Sequence, residues 1–319
     1  LSIKYHYNYI KMKRKHLSKP ILKWVGGKTQ LLDRLMPKFP TKMKNYHEIF
    51  TGGGSVLFRV LEMKQQGLLT IEKVYAYDKN EGLIYFYKNI QNNKDELYSC
   101  IEHYKRQYHF IEDMNIDVDE TDAKERRKRL KVLRNPQEKT TTSREAYYYW
   151  LRNKFNGLNK QSVEYSALFL ILNKTGFRGL FRESSNGFNV PFGNYKTVNV
   201  ITKERLNEIH DMIKDVTFVC CDFTESMKRI QEGDFVYLDP PYAPENEHSF
   251  VGYNQDGFGN HETLFELTKK QPAKFVMSNS NVKLVIDKFK EYTIDVVEAK
   301  RAINSKKPGA KTLEVIINN

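Results

Sequence analysis

Short apolar runs recur along the chain, and longer amphipathic stretches separate most of them. Three of the runs are followed at once by an acidic residue, namely Asp78, Asp222 or Asp239. Strands that alternate with helices predict an α/β fold with a mostly parallel sheet, whose ligands bind at the carboxyl ends of the strands. The runs that we interpret as strands are residues 46–50, 74–77, 217–221, 235–238, 274–277, 294–297 and 313–317.

Helical periodicity is clearest at residues 55–66 and 162–174, and Thr142 with Glu145 resembles a capping box before a helix that runs through Phe155. The middle of the chain is helical and charged, and it interrupts the alternation of strands and helices. We therefore predict a basic N-terminal tail at residues 1–19, an α/β domain at 20–83 and 215–319, and an inserted domain at 84–214. We interpret residues 1–11, which precede Met12, as upstream read-through or a tail.

Composition changes this picture only slightly. The chain of 319 residues has 52 Lys+Arg and 39 Asp+Glu, a net charge of +13 that is a weak indication of a polyanionic partner. The longest apolar run, residues 167–172, is far shorter than the roughly 20 residues of a membrane span. Neither the three cysteines nor the eight histidines have metal-ligand spacing, so we predict no metal and a reducing compartment. The basic run 124–134 is interpreted as either a solvated helix face or a DNA contact.

A glycine-rich turn, Phe50-Thr-Gly52-Gly53-Gly54-Ser55, joins the first strand to a helix. Glycines there allow the backbone to approach a ligand, and an acid at the end of the next strand, Asp78, is placed to bind ribose hydroxyls. The turn lacks the Gly-x-Gly-x-x-Gly spacing, and the chain has no Walker motif. This favours a nucleoside without phosphates, such as S-adenosylmethionine, over NAD, although a purely structural turn fits the pattern equally well.

The most specific motif is Phe235-Val-Tyr-Leu-Asp239-Pro240-Pro241-Tyr242. Proline cannot extend a central strand, so the two prolines predict a stiff loop at the strand end. The Asp239 carboxylate and the Pro240 carbonyl can accept the two N–H bonds of an exocyclic amine, and Tyr242 can stack on its base. The alternative is a rigid turn after a buried strand.

These motifs together resemble the DNA adenine N6-methyltransferases of the Dam type, the D12 class in its α arrangement, nearly end to end from Pro20. The resemblance implies a Rossmann-like class I S-adenosylmethionine-dependent methyltransferase sheet with a helical and β-hairpin DNA-recognition insert, the hairpin lying near residues 176–196. It implies a catalytic set of Asp239, Pro240, Pro241 and Tyr242. The implied cofactor-binding set is Trp24, Gly26, Gly27, Lys28, Phe50, Gly52, Gly54, Ser55, Asp78, Asp222, Phe223 and Asp239.

The insert is also similar to the family's recognition hairpin. Arg182 matches an arginine that reads a guanine, and Lys23 matches a lysine that reads the outer guanine of GATC in enteric relatives. Arg178 stands where the enteric pattern has Asn, so both GATC and CATG remain candidate sites. Leu180 and Pro191 fit thymine-methyl contacts, and Phe177 fits intercalation beside a flipped adenine. The implied DNA-binding set is Lys23, Phe177, Arg178, Leu180, Arg182, Pro191, Asn194, Tyr253 and Arg301.

The resemblance predicts methyl transfer from S-adenosylmethionine to adenine N6 in duplex DNA by base flipping, with S-adenosylhomocysteine as product. An RNA adenine methyltransferase, a cytosine-N4 methyltransferase and a non-catalytic DNA-binding relative are the alternatives. The leading Asp239 favours adenine, because cytosine-N4 enzymes usually begin this motif with Ser. The expected partner is double-stranded DNA, in the cytoplasm or nucleoid, or in the host cytoplasm or nucleus if the source is viral. A companion restriction endonuclease, and a monomer or weak dimer, are left open.

Overall fold

The computed structural model describes residues 19–111, 144–195, 197–244, 259–300 and 311–319. Within these residues the chain forms two compact units. The first contains the described residues up to Ile21, together with Val25–Ile84 and Glu208–Asn319. The second contains Leu22–Trp24 and the described part of Tyr85–Asn207. The short segment Leu22–Trp24 therefore belongs to a different unit from the residues on either side of it.

A seven-stranded sheet is the centre of the first unit, with the strand order β5-β2-β1-β6-β7-β9-β8. The pairs along the β5-β2-β1-β6-β7 part are all parallel, whereas β9 is antiparallel to both β7 and β8. The predicted mostly parallel α/β sheet is confirmed. The strands are β1 Lys42–Ile49, β2 Thr70–Asp78, β5 Val216–Cys220, β6 Phe235–Leu238, β7 Lys274–Ser280, β8 Thr293–Lys300 and β9 Lys311–Asn318, with β3 and β4 in the second unit.

Helices connect these strands and cover the sheet. The buried residues Leu264 and Phe265, with Phe289, pack in one apolar cluster with the fully buried strand residues Leu238 and Met277. Because β6 is buried along its whole length, the position of the residue that follows its carboxyl end is fixed by the sheet. The helices of this unit are α1 Leu32–Leu35, α2 Ser55–Gln65, α8 Phe223–Met227, α9 His261–Lys270 and α10 Lys283–Lys288, with a 3-10 turn at Met36–Lys38.

A buried polar cluster fixes the neighbouring strands β2, β1 and β6 relative to one another. His47 on β1 lies with Nδ1 3.1 Å from the Tyr77 hydroxyl and Nε2 3.0 Å from Asp234 Oδ2. Asp234, directly before β6, also accepts from Asn45 Nδ2 at 2.7 Å. Burial of the imidazole lowers the pKa of His47, and the nearby Asp234 carboxylate opposes that shift. The cluster holds the parallel strands in the register that brings their carboxyl ends together.

The second unit is mainly helical. Ser162 accepts a hydrogen bond from the Tyr165 backbone and so caps helix α6, as a helix starting at this serine requires. The Thr142 cap predicted for the preceding helix lies outside the described residues. A short antiparallel hairpin of β3 Glu183–Ser184 and β4 Gly187–Phe188 follows α6. Its helices are α4 Lys94–Phe110, α5 Arg144–Gly157 and α6 Val163–Thr175, with a 3-10 turn at Phe177–Gly179, while α3 Glu81–Asn92 and α7 Lys203–Ile213 each have residues in both units.

Candidate functional site

The glycine turn after β1 has a backbone that side chains rarely allow. Gly52 and Gly54 have φ angles of 50° and 72°, and Phe50 has a φ of 68°. A non-glycine residue in this region costs about 1–3 kcal/mol and is typical of functional loops. The Thr51 backbone N–H donates to the Tyr77 carbonyl at 2.9 Å, which holds the turn against the end of β2. Gly54 then begins helix α2, whose amino end faces the turn.

Asp78, the last residue of β2, is bound to the same turn. Its carboxylate accepts from the backbone N–H groups of Gly52 and Asn80, both at 2.9 Å. Burial raises the pKa of Asp78, and these backbone donors oppose the shift. A carboxylate has room for about four acceptor contacts, so ribose hydroxyls can still bind to it. The predicted pairing of a glycine turn with a strand-end acid is therefore a physical contact.

Phe50, which follows β1, and Phe223, which follows β5, have ring centroids 5.8 Å apart and ring planes tilted by 34°. Phe223 is buried and begins α8. Asp222 has a structural partner of its own, because its carboxylate caps α8 by accepting from the Thr224 backbone at 3.1 Å and from the Thr224 hydroxyl at 3.0 Å. A cofactor contact of Asp222 would have to use the second oxygen, which lies 3.8 Å from Lys79 Nζ.

The Asp-Pro-Pro-Tyr motif begins where β6 ends. Asp239 Oδ1 lies 2.8 Å from the ammonium nitrogen of Lys28. The two groups form an ion pair but not an aligned hydrogen bond, so Asp239 Oδ1 is a buried acceptor without a hydrogen-bond donor among the described residues. A buried acceptor of this kind is costly unless a ligand or water satisfies it. The site is thus prepared for an incoming N–H donor.

The positive charge of Lys28 compensates only part of the desolvation cost of burying the Asp239 carboxylate. Desolvation raises the pKa of Asp239 to about 6, the positive charge of Lys28 lowers it, and Glu314 adds a smaller increase. The carboxylate therefore remains mostly ionised at neutral pH, close enough to its pKa to respond to its neighbours.

Lys28 is held on several sides although its side chain is buried. Its Nζ donates to the Gly26 carbonyl at 2.5 Å and lies 4.9 Å from the centroid of the Tyr242 ring. Its backbone N–H donates to Ser55 Oγ at 2.9 Å, which joins this segment to the start of α2. Gly26, with a φ of 80°, and the exposed Gly27 form the turn before it. Four predicted residues, Lys28, Ser55, Asp239 and Tyr242, are therefore brought together.

Sequence reasoning missed part of the support for the Asp-Pro-Pro-Tyr loop, the segment Asp239–Tyr242. The Tyr242 hydroxyl donates to Glu314 Oε2 at 2.7 Å. The Asn279 side chain accepts from the Ala243 backbone N–H at 3.1 Å, and the Ser280 hydroxyl donates to the Ala243 carbonyl at 2.6 Å. The polar ending Ser278-Asn279-Ser280 of an otherwise apolar strand was the signal for two of these residues, whereas nothing local distinguishes Glu314.

In the second unit, Lys23 is fixed at both its backbone and its side chain. Asn173, buried at the end of α6, accepts from the Lys23 N–H at 2.8 Å and donates to the Lys23 carbonyl at 2.7 Å. The Lys23 ammonium lies 3.4 Å from the Tyr195 hydroxyl and 4.7 Å from the centroid of its ring. Gly179, with a φ of 67°, packs directly against the side chain of Lys23, which leaves no space for a Cβ.

Trp24 packs inside the second unit. Its ring stacks on Phe181 and Phe169, with centroids 5.5 Å and 6.2 Å apart. These contacts give Trp24 a structural role in addition to the predicted cofactor contact, which stays a prediction.

The other predicted DNA-binding residues lie mostly at the surface of this unit. Arg178 has a φ of 57°, and its guanidinium lies 5.2 Å from the centroid of the half-exposed Phe177 ring. Arg182 is exposed, and its Nε donates to Asn189 Oδ1 at 2.6 Å across the hairpin. Leu180 is half-buried, and the remaining members of the described set, Pro191 and Asn194, are exposed. Tyr253, Arg301 and the basic run 124–134 lie outside the described residues.

Two further observations concern the described residues alone. No group of three or more His, Cys, Asp and Glu side chains among them is placed to hold a metal ion. No helix in the same residues combines the length and the apolarity that a membrane crossing demands.

Comparison with known proteins gives extensive matches. The family model described as D12 class N6 adenine-specific DNA methyltransferase matches residues 24–135 and 108–303. The chain is 32% identical to the Type II methyltransferase M.MjaIII of Methanocaldococcus jannaschii, over 90% of this chain and 93% of that protein. It is 30% identical both to the Type II methyltransferase M1.LlaDCHI of Lactococcus lactis subsp. cremoris, over 94% and 95%, and to a DNA adenine methylase of Haemophilus influenzae, over 92% and 90%. Each similarity thus spans nearly the whole length of both proteins.

Proposed function

The chain belongs to the D12 class of N6 adenine-specific DNA methyltransferases, and on this premise we propose how its residues perform the reaction. It is an enzyme that acts on DNA, which excludes the RNA, cytosine and non-catalytic alternatives. We propose that it methylates an adenine flipped out of duplex DNA, within a palindromic tetranucleotide, GATC or CATG. The observation that carries this proposal is the buried Asp239 oxygen without an aligned donor, at the end of a strand beside the glycine turn.

Asp239 and Pro240 hold the nucleophile in this mechanism. The Asp239 carboxylate and the Pro240 carbonyl accept the two N–H bonds of the exocyclic amine, which localises the lone pair of N6 and directs it at the methyl group of the donor. As the new N–C bond forms, the S–C bond of the donor would break with its electron pair left on sulfur, and the methylated amine would lose one N6 proton to solvent. Tyr242 stacks on the flipped base and keeps it out of the DNA duplex. Such a base–aromatic stacking contact contributes about 1–3 kcal/mol per base. Because the acceptors are already positioned, catalysis depends on orientation and electrostatics, and the chain needs no covalent intermediate.

The proposed methyl donor is S-adenosylmethionine, which supplies a methyl group bound to positively charged sulfur. The residues of the first unit fit such a ligand. Asp78 would bind the ribose hydroxyls, since its carboxylate is fixed by backbone donors and still has acceptor capacity. Phe50 and Phe223 offer two aromatic rings, 5.8 Å apart at the carboxyl ends of β1 and β5, for the adenine. The remaining proposed cofactor residues are Trp24, Gly26, Gly27, Lys28, Gly52, Gly54, Ser55, Asp222 and Asp239.

The direct test of this function is to express the chain in a host that lacks DNA methylation and to sequence the genome on single molecules. We expect N6-methyladenine in a single palindromic four-base motif, and the identity of its outer pair decides between GATC and CATG. Purified protein with methyl-labelled S-adenosylmethionine should transfer label to duplex DNA containing that motif. Genomic DNA without N6-methyladenine, from cells that contain folded protein, would contradict the proposal.

Lys23 is proposed to read the outer base pair, and the structure offers a matched pair of glycines to test this. Gly179→Ala places a Cβ 2.6 Å from Lys23 Cβ, so the lysine must move. Gly67→Ala meets nothing within 4 Å but has a similar φ of 70°, so it reproduces the backbone strain of about 1–2 kcal/mol alone. We expect both variants to lose stability, but only Gly179→Ala to lose discrimination at the outer pair.

The expected loss is about tenfold, since one specific base contact contributes about 1–3 kcal/mol of discrimination. The measurement is the ratio of kcat/KM for duplexes with the correct outer pair and with a substituted outer pair. An unchanged ratio in Gly179→Ala, or the same change in Gly67→Ala, would remove Lys23 from sequence reading.

A further inference from the structure

Side chains of two neighbouring strands, β7 and β9, form hydrogen bonds with the end of the Asp-Pro-Pro-Tyr loop. Glu314 on β9 accepts the hydrogen bond of the Tyr242 hydroxyl at 2.7 Å. Ser280 on β7 is the direct cross-strand partner of Glu314 in the antiparallel pair. The phenol of Tyr242 is therefore attached to a rigid part of the sheet and not to another loop.

The residue after Tyr242 is held by its backbone. The Ala243 N–H donates to Asn279 Oδ1 at 3.1 Å, and the Ala243 carbonyl accepts from Ser280 Oγ at 2.6 Å. Asn279 Oδ1 also accepts from the Ser280 N–H at 2.8 Å, while its Nδ2 is buried without a hydrogen-bond partner. The Ser280 hydroxyl lies 3.3 Å from the same oxygen, so three accepted bonds determine the orientation of the amide.

Asn279 and Ser280 on β7 thus bind both backbone polar groups of Ala243, and Glu314 on β9 binds the phenol of Tyr242. At the other end, Asp239 is fixed by β6, and the two prolines restrict φ between these points. The loop consequently has little freedom, and the hydrogen bond to Glu314 restrains the hydroxyl end of the Tyr242 ring. Ring orientation matters because a stacking contact and an aligned N6 require the same placement of the base.

We propose that Glu314 is a positioning residue for methyl transfer: through its hydrogen bond it orients the Tyr242 ring against the flipped adenine, with Asn279 and Ser280 fixing the loop behind that ring. This inference rests on the proposed function of Tyr242 as the stacking residue. Glu314 does not contact the reacting atoms in this scheme, so its loss should lower the rate of transfer without weakening the binding of the methyl donor.

A double-mutant cycle tests the proposal on the full-length protein. Glu314→Ala and Tyr242→Phe each remove the same hydrogen bond, and the phenylalanine keeps an aromatic ring. We expect each variant to lower kcat about tenfold, the usual scale for a hydrogen bond to a charged group. The KM for S-adenosylmethionine should not change. The double variant should be no slower than the single variants, because the shared bond is lost only once.

Two further variants separate positioning from general destabilisation. Glu314→Gln retains an acceptor for the phenol and should recover most of the activity lost in Glu314→Ala. It should also shift the acidic limb of the pH–rate profile to lower pH, because the negative charge of Glu314 raises the pKa of Asp239. Glu291→Ala, at an exposed acid before β8, is the surface control. Thermal melting of every variant verifies folding.

The outcomes distinguish this inference from the proposed function. If the unmodified chain transfers no methyl group, the proposed function fails before Glu314 is tested. If the unmodified chain is active and Glu314→Ala keeps its kcat, or the cycle is fully additive, the positioning role is wrong. A lowered kcat that Glu314→Gln does not recover would also overturn it.

Discussion

Methyl transfer should disappear when Asp239 is replaced by alanine. Asp239→Ala removes the carboxylate that we propose accepts an N–H bond of adenine N6, and the expected decrease in kcat is about 10³-fold, at the upper end of the effect of one preorganised polar group. Asp239→Asn keeps an acceptor atom but loses the negative charge, so we expect a smaller decrease of about 10²-fold. The measurement is single-turnover transfer of labelled methyl groups to duplex DNA.

This prediction has a control for charge and a control for folding. Asp287 is an exposed acid on α10 that pairs with Lys283, and Asp287→Ala should leave transfer unchanged. Asp239→Ala leaves the buried Lys28 ammonium without its ion-pair partner, so its folding is verified by thermal melting beside the unmodified chain. Full methylation by folded Asp239→Ala would show that the nucleophile is activated elsewhere.

The fold could be predicted from the sequence because each strand leaves a local signal. Apolar runs such as residues 235–238 and 313–317 coincide with β6 and part of β9. The strand order and the antiparallel direction of β9 depend on which strands pair across long distances in the sequence. Local periodicity does not indicate those pairings. The segment Leu22–Trp24 shows the same limit, because it groups with a different unit from its chain neighbours through contacts such as Lys23 with Asn173.

Some residues of the candidate site can likewise be identified from a local motif, and others only from the fold. Asp78, Gly52 and the Asp-Pro-Pro-Tyr loop could be identified because each follows a strand in a recognisable motif. Glu314 could not, because nothing in the local sequence of β9 distinguishes this acid until the fold brings it to Tyr242, 72 residues away in the sequence. The reading roles assigned to Arg178 and Arg182 stay predictions, since they concern bases that only a complex with DNA contains.

The acidic limb of the pH–rate profile should move when Lys28 is neutralised. In the proposed mechanism ionised Asp239 is the form that accepts N–H bonds, so transfer should be full above the pKa of Asp239 and should be lost as the pH falls through it. That pKa is about 6, raised by burial and opposed by the charge of Lys28. Lys28→Met removes the opposing charge, so the pKa of Asp239 should rise and the limb should move to higher pH.

A neighbouring cation typically lowers the pKa of a carboxyl by about 1–3, so transfer by Lys28→Met at pH 7 should fall by between about twofold and about 100-fold. Lys28→Arg is the matched control, because it keeps the charge and should keep the limb near its original pH. Rates are measured at saturating S-adenosylmethionine across the acidic range, so that weaker cofactor binding does not imitate the shift. A limb that stays at the same pH in Lys28→Met would mean that a group other than Asp239 titrates, and the ion pair of Lys28 with Asp239 would then have no part in setting the pH range of the enzyme.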